Sequence, residues 1–322
     1  MRAVVLGAES VTFTADYPAP IPAVGEVAVR VLCAGVCETD LQLVRGYMGF
    51  RGILGHEFVG VAESGPFRGR RVVGEINASC GTCELCRQGL ANHCPSRSVL
   101  GILNRDGAFA DVVCLPQTNL HPVPDEISTR SAVFTEPLAA AFQIPAQVPL
   151  RSGQKVVVLG DGRLGNLCAQ VLAREGCSVT VVGKHARKLA LLSQLGLATV
   201  PLESLSRERR ADLVVDCTGS PTGLATALEI VRPRGTIVLK TTVAGPQTLS
   251  LAPVVIDEVT IVGSRCGPFP RALVALRERQ IDVESLIDGV YPLEEATTAL
   301  DRAHTEPVLK FLLAVDPSSP PP

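Results

Sequence analysis

The chain of 322 residues has no Trp, three Tyr and two Met, and aromatic residues make up only 4% of it. Lys is almost as scarce: of 30 basic residues five are Lys and the remainder Arg. We read that bias as a mark of genome composition; it suits a heat-adapted source, because Arg-for-Lys replacement accompanies heat adaptation in some families. An excess of one charge is also missing. A formal net charge of −2 excludes a nucleic acid or an anionic membrane surface held by bulk charge. No apolar run reaches the length of a bilayer span and no cleavable signal opens the chain, so a cytosolic protein is expected. The rest is ordinary globular composition, 46% hydrophobic and 19% charged, with chain enough for one or two domains.

Cysteine is plentiful. There are eleven, and four of them fall between Cys80 and Cys94. In a reducing compartment such a cluster points to metal rather than to disulfides. The run Cys80-Gly-Thr-Cys83-Glu-Leu-Cys86, followed by Cys94, can close four thiolates around zinc at about 2.3 Å, the geometry of a structural site. An iron–sulfur cluster also takes four cysteines, but the spacing suits zinc better. A nucleic-acid zinc module fails on charge, since Glu84, Arg87 and little else decorate the loop.

A second set is scattered. Cys37 lies in Cys37-Glu38-Thr39-Asp40, and His56 and Glu57 lie in Gly55-His56-Glu57. Thiolate and imidazole are ligands that hold zinc, Glu57 adds a carboxylate, and Glu136 in Thr135-Glu136-Pro137-Leu138 is the expected further ligand. Three protein ligands from separated positions, with one coordination site open, is the pattern of a catalytic metal. Against this stands the plain reading of a lone Cys as a small hydrophobe and of a His-Glu pair as packing.

Residues 1 to 125 read as β-rich, with short apolar runs such as 27–32, 58–61 and 71–73 set between Gly and Pro. From 126 to 150 the pattern turns helical, with Pro137 in a first turn and Glu136 at the helix head. At Lys155 the texture changes. Val156-Val157-Val158-Leu159 is a buried parallel strand, and it runs into Gly160-Asp161-Gly162-Arg163-Leu164-Gly165, then a helix, then the strand Ser178 to Val182. Strand, G-x-G-x-x-G, helix, strand is the context of a dinucleotide-binding turn. Gly160 makes the turn, Gly162 admits the pyrophosphate, Gly165 permits close helix–strand contact, and the helix N-terminus favours the anion. Further strands at 212–217, 235–239 and 259–263 complete an α/β sheet of about six parallel strands. Loops at the strands' carboxyl ends supply candidate cofactor contacts: Thr218-Gly219, Thr242 to Gly245, and Ser264-Arg265. After Pro270 one or two helices and a terminal strand, 310–315, are expected, and the Pro/Ser tail 317–322 is expected to be disordered.

Cofactor choice turns on the end of the second strand. An acidic residue about 20 positions past the glycines binds the ribose 2′-OH in NAD-type folds. Here Val182-Gly183-Lys184-His185-Ala186-Arg187 holds no carboxylate. Gly183 leaves room, and Lys184, His185 and Arg187 offer positive charge to a 2′-phosphate. NADP(H) is expected over NAD(H), which is the alternative.

A Cys/His pair, a four-Cys lobe and a dinucleotide fold in that order resemble the medium-chain zinc-dependent alcohol dehydrogenases over nearly the whole chain. Glutamate before Pro137-Leu138, where liver-type members carry a cysteine ligand, resembles the polyol, threonine and glucose dehydrogenase branch. The resemblance implies a GroES-like β-rich catalytic domain from residues 1–145 and 270–322, with a structural zinc lobe at 80–94. It implies a Rossmann coenzyme-binding domain at 146–269. It implies two zinc ions, the catalytic one on Cys37 and His56 with Glu57 or Glu136, the two carboxylates exchanging during turnover. Asp40 would orient His56, Thr39 would hydrogen-bond the substrate alcohol, and Lys310 would contact the cofactor pyrophosphate. Hydride would pass between an alcohol, polyol or sugar and NADP(H), in a homodimer or homotetramer. Two departures stand out. Gln42 occupies the place of a proton-passing His, and Glu38 replaces a basic or small residue. Tyr47, Met48, Phe50 and Phe109 are expected pocket walls. The rival readings are a non-catalytic zinc protein that binds NADP(H), and a zinc-free quinone reductase, which would lack both metal sites.

Overall fold

The computed structural model describes residues 1–8, 10–242 and 249–316. Most of the expected contact segment after Thr242, and the tail from 317, lie outside the described residues. The chain divides into two units: Met1–Glu136 with the stretch from Phe269, and Pro137–Pro268. The first break falls inside the helix Thr135–Gln147, earlier than the expected 145.

The first unit is built on the strand Glu26–Gly35. Val27, Val29 and Val31 alternate with more exposed neighbours and are buried at 3% exposure or less, which is the period-2 signature of a half-buried strand. Each such side chain contributes about 1.5–3 kcal/mol when fully buried. The strand pairs antiparallel with Phe58–Ala62, Val112–Pro116 and Lys310–Ala314 in a seven-stranded sheet. The last stretch of the chain therefore returns to the middle of the first unit. A strand absent from the sequence reading, Ile287–Pro292, pairs parallel with Lys310–Ala314. Its Asp288, Gly289 and Pro292 break the apolar alternation that marks a strand.

The second unit is a six-stranded parallel sheet in the order Ala198–Pro201, Ser178–Gly183, Lys155–Leu159, Ala211–Asp216, Val231–Leu239, Thr260–Gly263. Val156, Val158, Leu159, Val181, Val182, Leu213, Val214 and Val215 are all buried, as expected of a parallel sheet covered on both faces. The helix Arg163–Arg174 buries Leu167, Cys168, Val171 and Leu172, a spacing that keeps one face on the sheet. The chain starts at the central strand Lys155–Leu159, works out to one edge, and resumes at Ala211–Asp216 on the other side. The carboxyl ends of these two strands, at Gly160 and Cys217, thus flank a topological switch point, where ligands bind in such sheets.

Candidate active site

Ladder pairing assembles the first cluster. Phe58 stands opposite Ala34, and the Gly35 N–H donates to the Glu57 carbonyl at 2.8 Å. The segments that follow Gly35 and precede Phe58 are therefore held side by side. As a result the ligand atoms of Cys37, His56 and Glu57 lie within 4.8 Å of one another. Cys37 stands at the head of the helix Glu38–Val44, where its N–H donates to Asp40 Oδ2 at 2.8 Å. Asp40 is fully buried, and its Oδ1 is 3.3 Å from His56 Nδ1. Thr39 Oγ1 is 3.9 Å from Cys37 Sγ. Burial works against a charged His56, yet the negative charges of Asp40 and Cys37 outweigh it and hold the imidazole well above its usual pKa. Surroundings that favour positive charge on His56 equally favour a bound cation.

Those residues fit a metal. One imidazole nitrogen faces a buried carboxylate, which is how a ligating His is oriented, and the other is left to a metal. Glu136, in the first turn of Thr135–Gln147, is half-buried and is not one of the three gathered ligands. Gln42 donates to Glu38 Oε1 at 2.7 Å, so the two positions that depart from the family pattern satisfy each other.

Lys310 is placed differently from the expectation. Its Nζ is paired with Glu57 Oε2, with both side chains fully buried, and donates to the Val36 carbonyl at 3.1 Å. Burial pushes its pKa down to about 8, against the raising effect of Cys37, Asp40 and Cys33. It is an internal counter-ion of the cluster. Phe109 and Phe50 also differ: both are core residues, at 0% and 6% exposure. Tyr47 and Met48 lie in the short turn Tyr47–Gly49 and are partly exposed.

The second cluster holds four sulfurs. Cys80 to Cys94 is 3.5 Å, Cys83 to Cys86 3.5 Å, Cys83 to Cys94 3.9 Å and Cys80 to Cys86 4.0 Å. Four thiolates at about 2.3 Å from one zinc stand about 3.8 Å apart at tetrahedral corners, so the lobe fits the ion. The backbone N–H groups of Thr82 and Cys83, with the Thr82 hydroxyl, bring the Cys80 thiol down to about 6, toward the thiolate a metal needs.

The third cluster is the glycine turn. Gly160 has φ of +115°, and a Cβ there would lie 2.6 Å from the Cys217 carbonyl oxygen. A Cβ on Gly165 would sit 2.0 Å from the Gly160 oxygen. Neither position admits a side chain. Gly162 has open space where a Cβ would go and stands at the head of the helix Arg163–Arg174, so backbone amides there are open to an anion. Arg163 and Leu164 are half-buried in the first turn. Thr218 and Gly219 are exposed, with the Thr218 hydroxyl donating to Asp216 Oδ1 at 2.7 Å and the Gly219 N–H to Thr241 Oγ1 at 3.1 Å. Thr242 and Arg265 are exposed, while Ser264 accepts from buried Lys240 at 3.2 Å. Lys184, His185 and Arg187 are exposed at the end of the strand Ser178–Gly183.

Residues 23–125 match the family described as the alcohol dehydrogenase GroES-like domain, and residues 164–278 match zinc-binding dehydrogenase. The chain belongs to the medium-chain zinc-dependent alcohol dehydrogenases. It is 29% identical over 323 residues to a sorbitol dehydrogenase of Halalkalibacterium halodurans, spanning 92% of this chain and 94% of that one. An alcohol dehydrogenase from Thermus sp. ATN1 superposes with a TM-score of 0.89 at 29% identity, covering 98% of this chain and all (100%) of that one. A zinc-binding dehydrogenase of Sinorhizobium meliloti, bound to NADP, superposes with a TM-score of 0.87 at 25% identity over 98% and 99% of the two chains.

Two buried charged groups of this family member carry little mark in the sequence. Lys240 is buried and donates to the Ala140 carbonyl at 2.6 Å and the Arg265 carbonyl at 3.1 Å; nothing in its neighbours marks a buried Lys. Asp161 occupies a variable position of the G-x-G-x-x-G turn. A carboxylate inside a phosphate-binding turn was the available signal, because it opposes the anion unless it points elsewhere.

Proposed function

We propose that the protein oxidises a CH–OH group of an alcohol, polyol or sugar, or runs the reverse reduction, with NADP(H) as hydride carrier and zinc at both clusters. The observation that carries this reading is the gathering of Cys37, His56 and Glu57, with buried Asp40 set against the His56 ring. Cys37 and His56, with Glu57 or Glu136, would hold the catalytic ion; Cys80, Cys83, Cys86 and Cys94 would hold the structural one. A bound zinc supplies Lewis acidity toward the substrate oxygen, and the nicotinamide supplies the hydride chemistry. Asp40 keeps the His56 ring in one orientation. Thr39, beside Cys37, accepts the hydrogen bond of the substrate hydroxyl and relays its proton, giving up its own hydroxyl proton as it takes the substrate's. Gln42 cannot titrate, so that proton leaves by another route than in relatives with a His at this place. Gly160, Gly162 and Gly165 bind the pyrophosphate, with Lys184, His185 and Arg187 on the 2′-phosphate. The name of the Halalkalibacterium relative supports the polyol class, as does a glutamate at position 136, and the Sinorhizobium structure supports NADP.

We further place the protein in the cytosol as a homo-oligomer, with the edge strand Thr260–Gly263 as the pairing edge. No helix among the described residues is long and apolar enough to cross a membrane. A screen of alcohols, polyols and aldoses followed by NADPH absorbance tests the reaction. The expected result is turnover of polyols or sugars with higher kcat/KM for NADP(H) than for NAD(H), in protein carrying two zincs per chain. One zinc per chain and no turnover would favour a non-catalytic binding protein.

A further inference from the structure

The end of the strand Ser178–Gly183 lacks a carboxylate in sequence but not in space. Asp161 reaches across from the glycine turn. Its Oδ2 accepts the Lys184 N–H at 2.8 Å and the His185 N–H at 2.6 Å, and its Oδ1 faces His185 Nδ1 at 3.0 Å. The His185 amide is that of the N-cap of the helix Ala186–Gln194, and Lys184 immediately precedes it; His185 makes no side-chain cap of its own. Helix heads leave such donors unsatisfied unless something caps them. Gly183 is the enabling residue: a Cβ there would stand 2.4 Å from Asp161 Cβ. The room that Gly183 leaves is filled by this carboxylate, not by a cofactor phosphate.

Asp161 has two conceivable relations to a nucleotide. It could accept hydrogen bonds from a ribose diol, as the acidic residue of NAD-type folds does. It is 6% exposed and both of its oxygens already face Lys184 and His185 donors, so a ribose diol has no access to it. The other relation is indirect. With Nδ1 held by the carboxylate, the His185 ring is fixed, and its Nε2 edge lies on the opposite side of a side chain that is 45% exposed. Lys184 is exposed beside it. The carboxylate's own charge, turned inward against two amide dipoles and an imidazole, is compensated where a dianion would otherwise be repelled.

We propose that Asp161 is a positioning residue for cofactor selectivity, pinning the Lys184–His185 turn so that His185 Nε2 and Lys184 form the receptor for the adenosine 2′-phosphate. This rests on the NADP(H) reading above. The test is calorimetric binding of adenosine 2′,5′-bisphosphate and adenosine 5′-monophosphate to the full-length protein, to D161N and to H185A. D161N retains one oxygen acceptor for the two amides, so the turn keeps a cap while the imidazole loses its carboxylate. Wild type is expected to prefer the bisphosphate, and each variant to lose about tenfold or more of that preference while its affinity for the monophosphate is nearly unchanged. The double variant should lose no more than either single one. An NMR titration of His185 should show the ring responding to the bisphosphate in wild type and not in D161N. Equal binding of the two probes by wild type would overturn the NADP(H) reading itself. A wild-type preference that survives in D161N, or a loss shared equally by both probes, would overturn the role of Asp161 and leave that reading standing.

Discussion

Glu57 and Lys310 are two opposite charges with no exposure to solvent, each neutralising the other beside Cys37. A buried pair of this kind adds little over apolar packing, but breaking it strands a charge at a cost of about 3–5 kcal/mol. Lys310→Ala should therefore lower unfolding free energy by about that amount, and Glu57→Gln with Lys310→Met should recover much of it; urea unfolding of the single and double variants checks this. Asp161 offers a pH test. Burial alone would raise its carboxyl, but the His185 and Lys184 donors hold it below the usual range. A depressed carboxylate contributes its full stability above the unfolded value of about 3.9, and that contribution is lost as pH falls through the lower folded value. The urea midpoint measured between about pH 6 and 3 should drop less steeply in D161N than in wild type. A parallel fall in both would remove Asp161 from the acid limb.

Among the elements, the four-Cys lobe was the most legible, because its ligands lie close in sequence and local spacing alone brings them together. The glycine turn was legible for the same reason: strand, turn and helix are consecutive, and each glycine answers to a steric demand within that unit. If zinc ties the lobe, Cys83→Ser should release one zinc per chain and loosen residues 80–94, leaving the Rossmann sheet intact. Zinc analysis with amide hydrogen exchange reads both, and unchanged protection across the lobe would count against a structural ion. The strand Ile287–Pro292 was illegible, since its pairing is decided by Lys310–Ala314 rather than by its own pattern.

For the whole molecule, chain order and spatial order part company in the first unit. Lys310–Ala314 lies between Glu26–Gly35 and Ile287–Pro292, so the first unit cannot close until the end of the chain is present. A chain ended at residue 308 should lose that sheet and the counter-ion of Glu57 together. Limited proteolysis should then digest the region up to residue 136 and spare the second sheet, whose strands all lie between Lys155 and Gly263. Equal resistance of both regions would show the last strand to be dispensable.

By itself the sequence determined the class of chemistry, through ligand types, cysteine spacing and the glycine turn, since those signals reside in residue identity and short-range geometry. Tertiary structure decided where the charges go. It turned Lys310 inward onto Glu57, set Glu136 outside the gathered ligands, and carried Asp161 to a strand end some twenty residues away. The physical reason is that a buried charge must find a partner wherever the fold supplies one, and that choice depends on distances between segments that no local pattern encodes.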